Sequence, residues 1–237
     1  MAFDCVSRTH VGLKRKINED SLMTRTERGL WAVADGMGGH EAGEVASGRI
    51  AEALSTLPIV YTLEETVEDA VSALLRVNHD LIALARGGGE PRTIGSTVVG
   101  LAISGDEFRC FWAGDSRAYQ IRSGRIAQIS SDHSLVQNLV SAGMLSEEEA
   151  RHHPNANVVT RAVGVSEDLE VDVVTGDVRQ YDIFLLASDG LTRVVEDLEI
   201  AEVLSSGNLN HAADRLIDLV LERGAPDNVT LIIVRPR

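Results

Sequence analysis

Three apolar segments of the sequence end in the same way, with small residues that lead onto an aspartate. They are residues 31–34 before Asp35, residues 111–113 before Gly114 and Asp115, and residues 185–187 before Ser188 and Asp189. A fourth aspartate, Asp227, stands immediately before the apolar segment 228–233. A single Asp at the end of a strand is typical of a turn. Four acids at strand ends favour a shared site instead.

Carboxylates at the ends of core strands are partly desolvated and close together, so each resists ionisation unless a cation neutralises the group. Oxygen ligands with no Cys or His nearby indicate Mg²⁺ or Mn²⁺, not zinc. Gly36, directly after Asp35, leaves its carbonyl free to approach an ion. Two ions bridged by a carboxylate lower the pKa of a shared water for in-line attack on phosphorus. This chemistry needs no protein nucleophile.

Other catalytic motifs are absent from the sequence. It contains no G-x-x-x-x-G-K-[ST], G-x-G-x-x-G, H-E-x-x-H or G-x-S-x-G pattern. Asp132, His133 and Ser134 have the residue types of a hydrolase triad, but contiguous side chains cannot form that relay. His152 and His153 precede Pro154 and are interpreted as an exposed loop.

The elements that must position these acids follow from hydrophobic spacing. Apolar residues at helical intervals predict helices over 41–57, ended by Pro58, and over 63–86, ended by three glycines, Gly87, Gly88 and Gly89. Short β-rich segments follow, at 96–103, 107–113, 117–121 and 125–129. A helical segment begins near His133, and Ser146 with Glu149 predicts a capping box. Later come strands 169–174, 182–187 and 228–234, and helices 196–205 and 209–223. Paired helices and hairpin strands predict an α+β fold in layers, not a doubly wound one.

Composition restricts the classes of function. The 237 residues include 36 acids and 22 bases, for a net charge of −14, which excludes a simple nucleic-acid binder. Cys5 and Cys110 lie far apart, so no disulfide framework is expected. No signal peptide and no 18-residue apolar segment is found, and we expect a soluble, cytoplasmic, monomeric protein without a membrane segment. The only lysines, Lys14 and Lys16, flank Arg15. This basic cluster is interpreted either as a solvated loop or as a site that attracts anions.

Ordered short motifs carry a family resemblance. They are Arg15–Asp20 (RKINED), Asp35-Gly36-Met37-Gly38-Gly39, Gly95-Ser96-Thr97, Gly114-Asp115-Ser116-Arg117, Asp132-His133-Ser134, Thr160-Arg161-Ala162-Val163-Gly164, Ser188-Asp189-Gly190 and Asp227-Asn228. In these residues and their order the chain resembles the metal-dependent serine/threonine protein phosphatases of type 2C (PPM), in their small bacterial single-domain form. The resemblance implies one domain, 1–237, built as a four-layer αββα sandwich of two mainly antiparallel sheets flanked by helix pairs. It also implies a flap subdomain over about 136–157.

The same resemblance implies roles for individual residues. Asp35 corresponds to the carboxylate that bridges two ions, and the Gly36 carbonyl, Asp189 and Asp227 correspond to the other protein ligands. Asp115, with Asp189, is similar to a third, weaker ion site of bacterial members. The remaining site residues are Glu19 and Asp20, which hold waters on the ions, and Arg15, which grips the substrate phosphate.

One position departs from the family pattern. Many eukaryotic relatives have His directly after the Asp-Gly that Asp35 and Gly36 match, as the proposed acid for the leaving oxygen, and this chain has Met37. A water on the metal is the first candidate for that acid. Gly143 and Pro154 suit a flap that moves over the site and selects substrates. Lys14 and Lys16 are interpreted as steering phosphopeptides to the site.

The acids at the strand ends and the family resemblance together predict a phosphatase that depends on Mn²⁺ or Mg²⁺. The resemblance implies that it acts in signalling on phosphoserine and phosphothreonine in proteins, reversing a bacterial Ser/Thr kinase. A phosphatase for one regulatory protein, such as an anti-sigma factor antagonist, is the nearest alternative. A catalytically inactive phosphatase-like binding module is disfavoured because Asp35, Asp189 and Asp227 are all present. A metal-buffering or purely structural protein would need neither Arg15 nor the flap.

Overall fold

The structure is a computed structural model, and it describes residues 2–38, 42–60, 62–87 and 93–237. The strands are β1 (Phe3–His10), β2 (Asp20–Arg25), β3 (Leu30–Met37), β4 (Gly95–Ser96), β5 (Val98–Ser104), β6 (Glu107–Ala113), β7 (Arg117–Arg122), β8 (Arg125–Gln128), β9 (Asp172–Asp177), β10 (Ile183–Ala187) and β11 (Val229–Pro236). The helices are α1 (Ala42–Ser55), α2 (Leu63–Gly87), α3 (Leu135–Ser141), α4 (Glu147–Arg151), α5 (Asp189–Thr192), α6 (Asp197–Leu204) and α7 (Leu209–Glu222).

The strands form two sheets, and each pairing between described strands is antiparallel. The first sheet has the order β1-β11-β10-β7-β8. The second has the order β2-β3-β5-β6-β9, with β4 paired to β3. The expected α+β class with mainly antiparallel sheets is therefore confirmed.

Alternating side chains of each strand build the layers, because successive residues of a strand face opposite sides of a sheet. Trp31 and Val33 of β3 lie in the core between the sheets, whereas Ala32 and Ala34 pack toward α1 and α2. In β10, Phe184 and Leu186 lie in the inter-sheet core, and Leu185 and Ala187 pack on the side of α6 and α7. The predicted αββα sandwich is present, with one helix pair on each outer face.

Most predicted elements lie within two residues of their expected bounds, but the strand predicted over 169–174 is displaced to β9. Leu169 is buried in the helix-side core from an irregular segment, and Val171 packs against the same core. β9 instead alternates between half-buried and exposed residues and pairs with β6 along the sheet edge. The strand was predicted from apolar residues at the start of the range, and these residues are buried although they do not belong to the sheet. Strands β1 and β2 were not predicted, because most of their residues are polar or only half-buried.

The predicted flap contains α3 and α4. Ser134 caps α3 by accepting a hydrogen bond from the Gln137 backbone, so this helix begins two residues after the predicted His133. The predicted Ser146–Glu149 capping box is present at α4. The predicted helix start at residue 41 and the glycines at 39, 88 and 89 lie outside the described residues. Among the helices of the described ranges, none combines the length and apolar character that crossing a bilayer requires.

Candidate active site

The four aspartates predicted at strand ends lie together at one end of the sandwich, with Asp20, which was predicted to hold water on the ions. Asp35 lies near the end of β3, directly opposite Asp20 at the start of β2. Asp189 begins α5 immediately after β10, and Asp227 precedes β11. Burial raises the pKa of Asp35 well above its usual range, and repulsion from Asp189, Asp20, Asp115 and Asp227 adds to the rise. The structure therefore brings all five carboxylates into electrostatic contact.

The backbone around Asp35 is held by neighbouring hydroxyl and amide groups. The Asp35 N–H donates to the Thr97 hydroxyl at 3.3 Å, and its carbonyl accepts from the Thr97 N–H and the Ser96 hydroxyl, both at 2.9 Å. The Thr97 hydroxyl in turn hydrogen-bonds the Ser116 hydroxyl at 2.7 Å. Because Ser116 directly follows Asp115, these contacts fix the position of one carboxylate relative to another.

Gly36 occupies a place where no side chain fits. A Cβ atom there would lie 2.2 Å from the Gly43 carbonyl oxygen and 2.5 Å from that of Glu19. The Gly36 N–H donates to the same Glu19 oxygen at 3.1 Å. Glycine therefore lets β3, the start of β2 and the start of α1 approach one another at the site. Ligation of an ion by the Gly36 carbonyl stays a prediction.

Asp20 is a buried carboxylate with incomplete hydrogen bonding. It is 8% exposed, and its Oδ2 accepts from the Ser188 hydroxyl at 2.9 Å. Its Oδ1 has no hydrogen-bond partner among the described residues. Burial raises the pKa of Asp20 to about 6, and repulsion from Asp227 and Glu19 also raises it. A buried oxygen without a partner needs a donor or a cation that the protein does not itself supply.

Glu19 connects the site to α1. Its Oε1 accepts a hydrogen bond from the Gly43 N–H at 3.2 Å, within the first turn of that helix. An anion is favourable there because the first N–H groups of a helix lack intrahelical partners. The Glu19 carboxylate is thus oriented beside the aspartates, as the predicted role of holding water requires.

Two arginines neutralise part of this acidic cluster. An Arg15 Nη2 lies 2.8 Å from Asp227 Oδ2. Arg193 contacts two carboxylates, with Nε 2.9 Å from Asp189 Oδ2 and Nη2 2.7 Å from Asp115 Oδ2. Sequence reasoning identified Arg15 but missed Arg193. The missed signal is the four-residue spacing between Asp189 and Arg193, which places both on one face of a helical turn.

The residues present fit a hard divalent cation. Within the described ranges, no three acidic, His or Cys side chains are arranged as a formed ion site; the two guanidiniums hold three of the carboxylates instead. The donor set is nevertheless all oxygen, burial and repulsion raise the pKa values of Asp35 and Asp189, and one buried carboxylate oxygen, of Asp20, is unpartnered among the described residues. The two guanidiniums therefore do not fully neutralise the carboxylates, and a bound Mg²⁺ or Mn²⁺ would supply the remaining positive charge.

The loop that carries Arg15 is fastened by Asn228. The Asn228 Nδ2 donates to the carbonyls of Val11 at 2.8 Å and Ile17 at 3.0 Å. Its Oδ1 accepts from the Glu19 N–H at 2.8 Å. Asn228 belonged to a predicted motif but had no predicted role. Its buried amide holds both ends of the segment from which Arg15 projects, and the Arg15 side chain is half exposed.

The structure excludes a triad at Asp132, His133 and Ser134. Asp132 pairs with both Nε and Nη2 of Arg117, and Ser134 caps α3. The Gly114 N–H donates to His133 Nδ1 at 3.1 Å, so Nε2 carries the proton and faces Asp172 Oδ2 at 3.2 Å. Burial lowers the pKa of His133. This histidine positions Gly114, which has a φ of +126° and directly precedes Asp115.

The predicted flap lies against the site at residues 193–196. Arg151 of α4 forms an ion pair with Glu196. The Ala156 carbonyl accepts a hydrogen bond from Arg193 Nη2 at 3.4 Å. The arginine that contacts Asp115 and Asp189 is thus also joined to the flap.

Comparison with known proteins agrees with this geometry. The family model of Protein phosphatase 2C matches residues 10–225. Over 96% of its length the chain is 35% identical to the serine/threonine protein phosphatase PstP of Mycobacterium tuberculosis, and it spans 44% of that longer protein.

Two solved structures are closely similar. PppA, described as a key regulatory component of T6SS in Pseudomonas aeruginosa, has a TM-score of 0.91 and 43% identity, with 99% of this chain and 98% of that chain covered. The catalytic domain of PstP in complex with two manganese ions has a TM-score of 0.87 and 34% identity, covering 98% of this chain and 97% of that chain.

Proposed function

The chain belongs to the protein phosphatase 2C family, and we propose that it hydrolyses phosphoserine and phosphothreonine in proteins with Mn²⁺ or Mg²⁺ as cofactor. The observation that carries this proposal is the group of five carboxylates formed by Asp35 and its four aspartate neighbours, whose mutual repulsion favours the binding of cations. Arg15 lies beside them as a group able to hold a phosphate. The manganese-bound structure of a relative supports the same choice of ion.

Asp35, Asp189, Asp227 and the Gly36 carbonyl would hold the ions, with Glu19 and Asp20 orienting water beside them. Bound divalent ions would supply positive charge, which neutralises the carboxylates, and Lewis acidity, which lowers the pKa of water for attack on phosphorus. The protein's own contribution is to fix these oxygens in place. The hydrogen bonds of Asp35 to Ser96 and Thr97, and of Asp20 to Ser188, provide that rigidity.

Arg15 binds the substrate phosphate in this proposal. Its planar guanidinium can donate two parallel hydrogen bonds to phosphate oxygens. The side chain is half exposed and forms an ion pair with Asp227, with Nη2 2.8 Å from Oδ2. It can therefore release Asp227 and bind an incoming phosphate. Met37 carries no titratable proton, so the leaving oxygen takes its proton from water in the site.

The substrates are regulatory phosphoproteins, and the enzyme reverses a Ser/Thr kinase in the cytoplasm, acting as a monomer. The 43% identity to PppA, a regulatory component, supports a regulatory role.

Residues 136–157 act as a flap that selects the substrate, within one catalytic domain covering 1–237. The contacts of Arg151 with Glu196 and of Arg193 with Ala156 support this role, since they connect the flap to the site. An inactive binding module is disfavoured because the carboxylates are complete.

Replacing Asp189 by Asn tests this function. The variant should lose at least about 100-fold of the Mn²⁺-dependent hydrolysis of a phenyl phosphate, because metal catalysis contributes several kcal/mol. Its thermal unfolding temperature should not fall, since the substitution removes a repelling charge. Asp218→Asn, at an exposed position of α7, is the matched control and should keep full activity. Full activity of Asp189→Asn would overturn the proposal.

A further inference from the structure

Arg193 joins three parts of the site through one guanidinium. Its Nε contacts Asp189, and its Nη2 contacts both Asp115 and the Ala156 carbonyl of the flap. The short helix α5 explains the first contact, since Asp189 begins that helix and Arg193 follows one turn later. Side chains four residues apart on a helix lie on the same face.

The two carboxylates that Arg193 bridges would otherwise repel each other. Asp115 is 5% exposed, and both burial and the charge of Asp189 raise the pKa of Asp115, while Arg193 lowers it. A guanidinium is suited to this position because its donors diverge in a plane and can reach two carboxylates at once. Arg193 therefore supplies positive charge directly to both carboxylates of this pair.

Asp115 and Asp189 are also the two acids that the family resemblance associates with a third, weaker metal ion. An ion at that place would have to displace Arg193 from both carboxylates. The charge of the Arg193 guanidinium would then lack these two partners. The hydrogen bond from Arg193 Nη2 to the Ala156 carbonyl is a third contact that this displacement would break. At this pair, therefore, the residues of this chain do not suit an additional divalent ion.

We propose that Arg193 is a built-in cation that takes the place of the third metal ion, so that the enzyme binds only the pair of ions held around Asp35. The inference rests on the proposed function. Arg193 is a positioning residue here, since it acts on Asp115 and Asp189 and not on the substrate.

Counting bound Mn²⁺ tests this inference without measuring activity. Isothermal titration calorimetry, together with electron paramagnetic resonance of free Mn²⁺, is carried out on the wild type and on Arg193→Met, which keeps much of the aliphatic stem. Arg215→Met is the matched control, because Arg215 pairs with Glu222 on the surface of α7. The Arg193→Met variant should bind one ion more than the wild type, and the control should bind the same number as the wild type.

Anomalous scattering from wild-type crystals soaked in Mn²⁺ gives a second measurement that needs no variant. No manganese peak is expected between Asp115 and Asp189, and Arg193 should remain on both. A peak there, or equal ion counts for the wild type and Arg193→Met, would overturn the inference and leave the proposed function intact. A wild type that binds no Mn²⁺ would overturn both.

Discussion

Asp20 and Asp35 stand directly opposite each other on the antiparallel pair β2–β3. Side chains at directly opposite positions lie on the same face of a sheet, and like charges there are destabilising. Asp20 is buried with one oxygen unpartnered among the described residues, and it contributes to the raised pKa of Asp35. The fold thus carries a repulsion that costs stability when no cation is bound.

Removing the Asp20 charge should stabilise the ion-free protein. We expect Asp20→Asn to raise the free energy of unfolding in EDTA by about 1 kcal/mol, because an amide can still accept from Ser188 and carries no charge. The same change should weaken Mn²⁺ binding by about tenfold, since waters on the ions lose an acceptor. Urea unfolding and calorimetry measure the two effects. Asp80→Asn on α2 is the exposed control, and lower stability of Asp20→Asn would contradict this explanation.

The stability of the ion-free protein should fall as pH rises from about 5 to about 7.5. Burial raises the pKa of both Asp20 and Asp115 to about 6, and the pKa values of Asp35 and Asp189 are also raised. The folded state therefore holds protons that the unfolded state has released, and this stability is lost as pH passes through the folded-state pKa values. We expect a loss of roughly 1 to 3 kcal/mol.

His133 acts in the opposite direction, because its lowered pKa disfavours protonation in the fold as pH falls below the usual histidine range. Among the described residues, four carboxylates with raised pKa values act against this single histidine, so the carboxylates determine the sign of the pH dependence. Urea unfolding in EDTA at several pH values measures the slope, and saturating Mn²⁺ should remove most of it. A stability that increases over this range in EDTA would refute the prediction.

Asn228 should be important for both stability and substrate binding. Asn228→Ala removes three hydrogen bonds, to Val11, Ile17 and the Glu19 N–H, and should cost about 2 to 3 kcal/mol of unfolding free energy. Since the segment carrying Arg15 is loosened, KM for a phosphopeptide should rise more than kcat falls. Steady-state kinetics and urea unfolding test both parts. Asn210→Ala on α7 serves as an exposed control. An unchanged KM in Asn228→Ala would show that Asn228 does not contribute to substrate binding.

Steering by Lys14 and Lys16 stays a prediction. Both side chains are exposed in the loop that carries Arg15, on a chain with a net charge of −14. The double change to Ala should lower kcat/KM for a phosphopeptide several-fold at low salt and have little effect at high salt, because counterions screen exposed charges. Arg76→Ala with Arg125→Ala removes the same charge from exposed positions of α2 and β8. An unchanged kcat/KM in the lysine variant at low salt would rule out steering.

Local sequence patterns predicted most elements, because burial on one face leaves a periodic trace. The capping box of Ser146 and Glu149 and the strand Glu107–Ala113 lie at their predicted positions. The pattern failed at Leu169, whose burial comes from an irregular segment, and at β1, whose residues are mostly half-buried. In both places packing against distant elements decides the structure, and that packing has no local period.

The sequence by itself determined the layered α+β class, the family resemblance and the acids Asp35, Asp115, Asp189 and Asp227, because strand ends and ordered motifs are local properties of the chain. Only the tertiary structure decided which charges meet. The opposition of Asp20 and Asp35, the hydrogen bonds of the Asn228 amide to both ends of the Arg15 loop and the contact of Arg193 with Asp115 join residues from separate elements. Such contacts depend on sheet register and on helices and loops packing against the strands, which spacing along the chain does not specify.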